Sequence, residues 1–553
     1  MRRIPCLAAR ARVVFVYLWP SSASRRFIDS FYSPINPFPA AKPLLPVLPP
    51  SVPAIFSLAT TTGGLCTGER VRDEDSARHG FVVVVVAVVL GASWRRLGCT
   101  RGAASSSGGA ETTTTGPNWH AVSVSSLLPS AAAACTASQA SSNSLALRVV
   151  HRHGPCSPLQ SRGGAPSHAE IMDRDQARVN SIHRKVAASV IEPARASKGV
   201  SLPARRGISL GTGNYIVSVG LGTPVKNFSV VFDTGSDLSW VQCKPCRDCY
   251  KQQDPLFDPA QSSTYSAVPC GAQECMELDS QSCSSDDKCR YEVVYGDQSQ
   301  TDGDLVRDTL TLTPSAELPG FVFGCSDEIS GQFGQADGLF GLGRKKVSLS
   351  SQGAPKYGPS FSYCLPSSSS AAGYLSLGGA PPANAQFTEM VTKSDTPSFY
   401  YINLVGIKVA GRSIKVPKTV FATAGTVIDS GTVITRLPER AYAVLRSAFA
   451  RFMDSYSYKK APALSILDTC YDFTGRTKLQ IPSVALLFAG GTSVNLDFTG
   501  VLYVAKVSQV CLAFASNGDD TSIGILGNTQ QKKLAVVYDM AKQRIGFGAK
   551  GCR

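Results

Sequence analysis

The pattern of apolar and polar positions changes character near residue 205. From Tyr215 on, short apolar runs, partly alternating with polar residues, are broken by Gly, Pro and Asp, the signature of β-strands and their turns. Tyr215 to Val219 forms one such run, Gly222-Thr223-Pro224 turns the chain, and Phe228 to Phe232 leads into Asp233. Helix signals are few. The strongest runs from Pro438 to Met453, with Pro438 and Glu439 in the first turn. Its stripe of Tyr442, Leu445, Phe449 and Phe452 predicts core packing rather than a cofactor site. Ser367 to Ala372 reads as a flexible surface connection between two halves. The pattern predicts a mostly β body with few short helices, divided into lobes at 207–366 and 367–553.

Upstream the pattern differs. Residues 145–206 read as a segment that accompanies the body and is removed from it. Within it, Ala169 to Val190 is helix-compatible, charged on most faces and poor in apolar positions, so it is expected to cover another surface rather than build a core. His151, His153 and His183 are expected to be solvated rather than metal-bound. Pro203-Ala204-Arg205-Arg206-Gly207 is an exposed basic stretch suited to cleavage. Residues 1–144 read as a targeting leader followed by an Ala/Ser/Thr/Gly-rich disordered region. The apolar run Phe81 to Leu90 is too short for a membrane span, which needs about 20 residues, and suits the core of a signal peptide. It lies far from Met1, so the expected reading is an over-extended start, with an organellar leader as the alternative.

Charge sharpens this division. The chain carries a net +15. Residues 205–553 hold 33 Lys+Arg and 30 Asp+Glu, or +3, which leaves 55−33=22 basic and 40−30=10 acidic residues, or +12, before them. The basicity belongs to the leader, and the body has no footprint for nucleic acid. Of the 17 cysteines, twelve lie between Cys243 and Cys552. An even number there favours disulfides and an oxidising compartment. The earlier five, Cys6, Cys66, Cys99, Cys135 and Cys156, suggest no fixed pairing.

The chemistry rests on a repeat. Val231-Phe232-Asp233-Thr234-Gly235-Ser236 is matched by Val427-Ile428-Asp429-Ser430-Gly431-Thr432. Each ends an apolar run in a carboxylate, then supplies Gly for a tight turn and hydroxyls to hold the carboxylate. Each is followed by an apolar run holding two Gly, Asp337-Gly338-Leu339-Phe340-Gly341 and Ile523-Gly524-Ile525-Leu526-Gly527. A Gly beside a strand lets two backbones approach closely.

On these motifs, with Val149-Val150-His151-Arg152-His153-Gly154-Pro155-Cys156 and Gly213-Asn214-Tyr215-Ile216-Val217, residues 145–553 resemble a pepsin-type aspartic endopeptidase of the plant nepenthesin-like and chloroplast-nucleoid-protease-like branch. The resemblance implies a bilobal acid-protease fold and a zymogen. In that family two carboxylates held close share a proton, a role that falls here to Asp233 and Asp429. Gly235 and Gly431 then bring backbone N–H groups to the carboxylates. Ser236 and Thr432 match positions that hydrogen-bond their outer oxygens, and Thr234 and Ser430 match hydroxyls that tie the loops together. Tyr295, in Val293-Val294-Tyr295-Gly296-Asp297-Gln298-Ser299, matches a flap tyrosine bonded to Trp240; Gln298 stands where the branch has a second Gly.

Cys243-x2-Cys246-x2-Cys249 invites a zinc reading, but no second such pair follows, and the branch carries a disulfide-rich insert here. Cys470 and Cys511 resemble its bridge in the second lobe. Asn227-Phe228-Ser229 is a glycosylation sequon beside the catalytic strand. The resemblance implies polypeptide substrates, no cofactor or metal, no nucleic-acid partner for the mature body, a monomer, and a secreted or vacuolar address, with the chloroplast as alternative. Two other classes share the fold or the leader: a catalytically silent protein-binding inhibitor and a DNA-associated plastid protease.

Overall fold

The structure, a computed structural model, describes residues 118–128, 135, 145–159, 166–190 and 215–552, apart from 296–298 and 332. The basic leader, the cleavage stretch Pro203–Gly207 and the flap tip with Gln298 lie outside the described residues. The architecture is mostly β. Among the described residues no helix is long and apolar enough to cross a membrane.

In chain order the elements that position the site are β1 (Trp119–Ser123), β2 (Leu145–His151), α1 (His168–Val190), β3 (Tyr215–Leu221), β4 (Lys226–Asp233) and β5 (Trp240–Gln242). A sheet runs across both halves. β4 pairs with β3, β3 with β2, and β2 with the strand Ala372–Leu377. That strand pairs with Ser360–Cys364, which pairs with Ala535–Asp539 of the second half. β2 is therefore an interior strand, and its Leu147, Val149 and Val150 are buried. β1 adds to the second half, antiparallel to Lys478–Pro482.

One expectation about the chain path changes here. Ser367 to Ala372 does not span a surface gap between lobes. It closes the hairpin between Ser360–Cys364 and Ala372–Leu377, and Ala371 and Ala372 are buried. The Ser/Ala run that suggested a linker is instead held against Gly154, where a Cβ would fall 2.2 Å from the Ser369 carbonyl oxygen. The helix Glu439–Asp454 forms where the stripe placed it, with Tyr442, Leu445, Phe449 and Met453 buried.

All twelve body cysteines are paired: Cys243–Cys325, Cys246–Cys249, Cys270–Cys283, Cys275–Cys289, Cys364–Cys552 and Cys470–Cys511. The three cysteines of the zinc-like spacing are thus all in disulfides, and none is a thiolate. Cys135 pairs with Cys156, where the sequence suggested no pairing.

Candidate active site

Each half builds its carboxylate the same way. β4 is buried from Phe228 to Asp233, as suits an apolar, aromatic run covered on both faces. The strand Gly338–Gly341 runs parallel to it with Gly341 opposite Asp233, and the Leu342 N–H donates to the Asp233 carbonyl at 2.8 Å. In the second half the buried strand Thr426–Ile428 pairs in parallel with Gly524–Leu526, and the Asp429 N–H donates to the Leu526 carbonyl at 3.1 Å. Gly338 admits no side chain, since a Cβ there would fall 1.9 Å from the Trp240 carbonyl oxygen.

The two loops interlock. The Thr234 N–H donates to Ser430 Oγ at 3.1 Å and the Ser430 N–H to Thr234 Oγ1 at 2.9 Å. The Gly235 N–H donates to Asp233 Oδ1 at 3.0 Å and the Gly431 N–H to Asp429 Oδ1 at 3.1 Å. Glycine is needed at both places because the opposite carboxylate sits there: a Cβ on Gly235 would meet Asp429 Oδ1 at 2.7 Å, and one on Gly431 would meet Asp233 Oδ1 at 2.6 Å. Asn528 and Gln531 brace the second loop from below by donating to the Ser430 and Asp429 carbonyls.

The hydroxyls differ. Thr432 Oγ1 donates to Asp429 Oδ2 at 2.5 Å. Ser236 does not do the same for Asp233: Ser236 Oγ and Asp233 Oδ2 are both buried without a hydrogen-bond partner among the described residues. The expected bond is absent here; the guanidinium beside Asp233 engages only its other oxygen.

That guanidinium belongs to Arg178 on α1. Its Nη2 donates to Asp233 Oδ1 at 2.7 Å and to Asp429 Oδ1 at 2.9 Å, and its Nε donates to Asp429 Oδ2 at 2.9 Å. The side chains are 11% (Arg178), 2% (Asp233) and 0% (Asp429) exposed, so three ionisable groups are held out of water by mutual contact. Burial pushes Asp233 up, only partly offset by Arg178 and reinforced by the neighbouring Asp429. Burial acts on Asp429 too, but the Arg178 charge and the hydrogen bonds from Arg178, Thr432 and Gly431 outweigh it and hold this carboxyl below its usual range.

α1 lies on the second half. Met172 packs with Val433 and Ile434, and Val179 and Ile182 pack with Phe399, Tyr401 and Ile525. Met172, Val179 and Ile182 face inward, together with two charged residues, Asp175 and Arg178. The histidines are not solvated as expected. His183 Nε2 donates to the Ile523 carbonyl at 2.9 Å. His151 sits edge-on to Tyr215, and burial pushes it down to about 3. His153 is pushed down to about 4 by burial and by Arg152.

On the other side of the dyad, Trp240 Nε1 donates to the Tyr295 hydroxyl at 2.7 Å. Both rings are buried, and both stand edge-on to Phe333, a partner the sequence did not single out. A cavity of about 410 Å³ opens beside them, lined by Asp233, Ser236, Tyr295, Leu278 and Phe399. Asn227 is exposed at the start of β4, away from this cavity. Among the described residues no group of three or more His, Cys, Asp or Glu could hold a metal ion. The roles of Arg178, Asp175 and Arg436 were missed. The spacing of Asp175 and Arg178 on one helical face was the only signal, and it does not say what they meet.

Residues 215–379 match the family model described as xylanase inhibitor N-terminal, and 399–549 match xylanase inhibitor C-terminal. An aspartyl protease family protein of Arabidopsis thaliana is 46% identical over 481 residues, covering 85% of this chain and 98% of that protein. Aspartyl protease AED1 of the same plant is 45% identical over 435 residues (78% and 92%). Aspartic proteinase nepenthesin-2 of Nepenthes gracilis is 36% identical over 371 residues (65% and 81%). Among solved structures, edgp superposes with a TM-score of 0.52 at 18% identity, covering 63% of this chain and 96% of that one. Basic 7S globulin from soybean superposes at 0.50 and 22%, covering 60% and 92%. These two likenesses speak to the fold.

Proposed function

The chain belongs to the plant aspartyl protease family, and we propose that it is an aspartic endopeptidase made as a zymogen, with Asp233 and Asp429 as its water-activating dyad. The observation that carries the reading is the single guanidinium of Arg178 bridging both carboxylates. Two carboxylates this close repel when both are ionised, and a cation from the removable segment neutralises them while blocking the cleft.

With α1 gone, the pair is left to share a proton. The ionised member takes a proton from water as the water attacks the peptide carbonyl, and the protonated member donates to the carbonyl oxygen. A tetrahedral gem-diol forms with no covalent bond to the enzyme. Tyr295, fixed by Trp240, covers the reacting bond. Activity belongs at acidic pH, where one carboxyl is protonated. The inhibitor reading has less support, because both Asp loops are intact and mutually tied. The seven disulfides support a secretory route, and the near-neutral body gives no reason to propose a nucleic-acid partner.

The test is the processed enzyme on an unstructured peptide at acidic pH. Asp233→Asn is expected to lower kcat by about 10³-fold or more, in the range for loss of a general acid–base group, with the far-ultraviolet circular dichroism unchanged. Undiminished hydrolysis in that variant overturns the assignment.

A further inference from the structure

We propose that the processed enzyme carries a carboxylate-binding subsite beside the dyad, built from the Arg436 guanidinium and the backbone N–H groups of Val433 and Ile434, which takes an acidic group of the peptide substrate. The inference rests on the proteolytic reading above and names a determinant of its substrate.

In the unprocessed chain the site is filled from within. Asp175 of α1 accepts the Val433 N–H on Oδ1 at 2.6 Å and the Ile434 N–H on Oδ2 at 3.1 Å. Arg436 Nη2 lies 3.0 Å from the same Oδ2, and both side chains are fully buried. Burial raises the Asp175 carboxyl against the pull of Arg436 and the two N–H groups. Yet every partner is a donor that cannot accept a hydrogen bond, so the proton of a neutral acid would have nowhere to go. The set is built for an ionised carboxylate.

The donors belong to the body and the acceptor to the removable helix. Val433 and Ile434 continue the Asp429 loop, and Arg436 lies on the strand Thr435–Leu437. When α1 departs, Arg436 Nη2 loses Asp175 and also Gln176 Oε1, now 3.3 Å away. Its Nε is already buried without a partner among the described residues. Among the described residues, only the bond from Nη1 to the Ile434 carbonyl, at 2.9 Å, stays within the body. A recessed cation stripped of its counter-ion is strongly unfavourable, and an anion supplied by the substrate restores the pairing.

Position follows from helix geometry. Asp175 and Arg178 are three residues apart, about 4.5 Å along the helix axis, and an extended peptide advances about 3.3 Å per residue. With Arg178 at the dyad, the subsite recognises a group one or two residues from the scissile bond. An Asp or Glu side chain and a C-terminal carboxylate both offer that chemistry.

The experiment gives enzyme freed of α1 a set of peptides carrying Glu or Gln at each of the two positions on either side of the scissile bond. A second set ends at those positions in a free carboxylate or an amide. At one position Glu should exceed Gln in kcat/KM by about 10–100-fold, the span of a charge-assisted hydrogen bond. Arg436→Met should bring that ratio to about one, and Arg436→Lys should keep part of it. A preference confined to the second set assigns the subsite to chain ends. Equal cleavage within every pair by the unaltered enzyme overturns the proposal without any variant having to fold. Failure to cut any peptide, neutral ones included, undoes the proteolytic reading instead. The subsite is then decided by binding of the same peptides, fluorescently labelled, with the Glu-to-Gln ratio as the measure.

Discussion

Among the described residues, the Asp429 carboxylate accepts four hydrogen bonds and the Asp233 carboxylate two. Both accept one from the glycine two residues on and one from Arg178 Nη2. Asp429 alone adds Thr432 and Arg178 Nε. The difference has two sources: Thr432 bonds Asp429 from within its own loop where Ser236 does not bond Asp233, and the docked α1 engages the two carboxylates unequally. α1 lies along the second half and turns its guanidinium edge toward Asp429, leaving Asp233 with one oxygen unbonded. A twofold-looking pair of carboxyls is thereby held in an asymmetric state, with Asp429 below its usual range and Asp233 pushed up by burial.

The harshest test of that asymmetry is to remove the source that α1 supplies. Arg178→Met keeps the packing of the stem and deletes the charge. Breaking a buried ion pair from one side costs about 3–5 kcal/mol. The unprocessed full chain should therefore lose most of its hold on α1 and cleave peptides without processing. Activity that still waits on processing would mean that the apolar contacts and Asp175 hold the helix unaided.

Acid is the gentler probe, and the two carboxyls respond in opposite directions. Asp429 lies below its usual value in the folded chain, so its hold on α1 is complete above about pH 4 and is lost as pH falls through the depressed value. Asp233, raised by burial, instead favours the docked state as pH falls. His168 and His183 dock with lowered values, chiefly through burial, and begin to loosen the helix below about pH 6.5. Hydrogen exchange of the α1 amides against pH should show loosening in two stages, and Arg178→Met should lose the lower one. A single stage near pH 6 would give the release to the histidines.

The smallest effect separates the two hydroxyls. Thr432→Val removes a hydrogen bond to a charged oxygen, worth about 1.5–3 kcal/mol, and should raise the Asp429 carboxyl. Ser236→Ala should leave Asp233 unchanged in the unprocessed chain. Carboxyl titrations by NMR read both, and equal shifts would erase the asymmetry.

The sequence made the two Asp loops legible because each is local: a strand, a carboxylate, a glycine and a hydroxyl stand within six residues. The contact between Trp240 and Tyr295 and the cross-tie of Thr234 and Ser430 were readable only through the family resemblance, since neither pair is near in sequence. Arg178 and Asp175 were visible as charges on a polar helix, but burial is decided by where a helix lands. A buried charge looks the same in sequence as a solvated one. Ser236 misled for a related reason, because a matching residue was taken to imply a matching bond. The histidines were expected in solvent, yet packing against the sheet and the second half leaves His151, His153 and His183 only partly exposed.

Cys364 and Cys552 close a covalent ring across 188 residues of sequence. An endopeptidase accumulates among copies of itself, and exposed turns of its second lobe are within reach of its neighbours. A nick between these two cysteines leaves the pieces joined as one molecule, and the Cys470–Cys511 link fastens a smaller ring within it. Self-digestion in this lobe would pass unseen on a non-reducing gel and appear as fragments only after reduction.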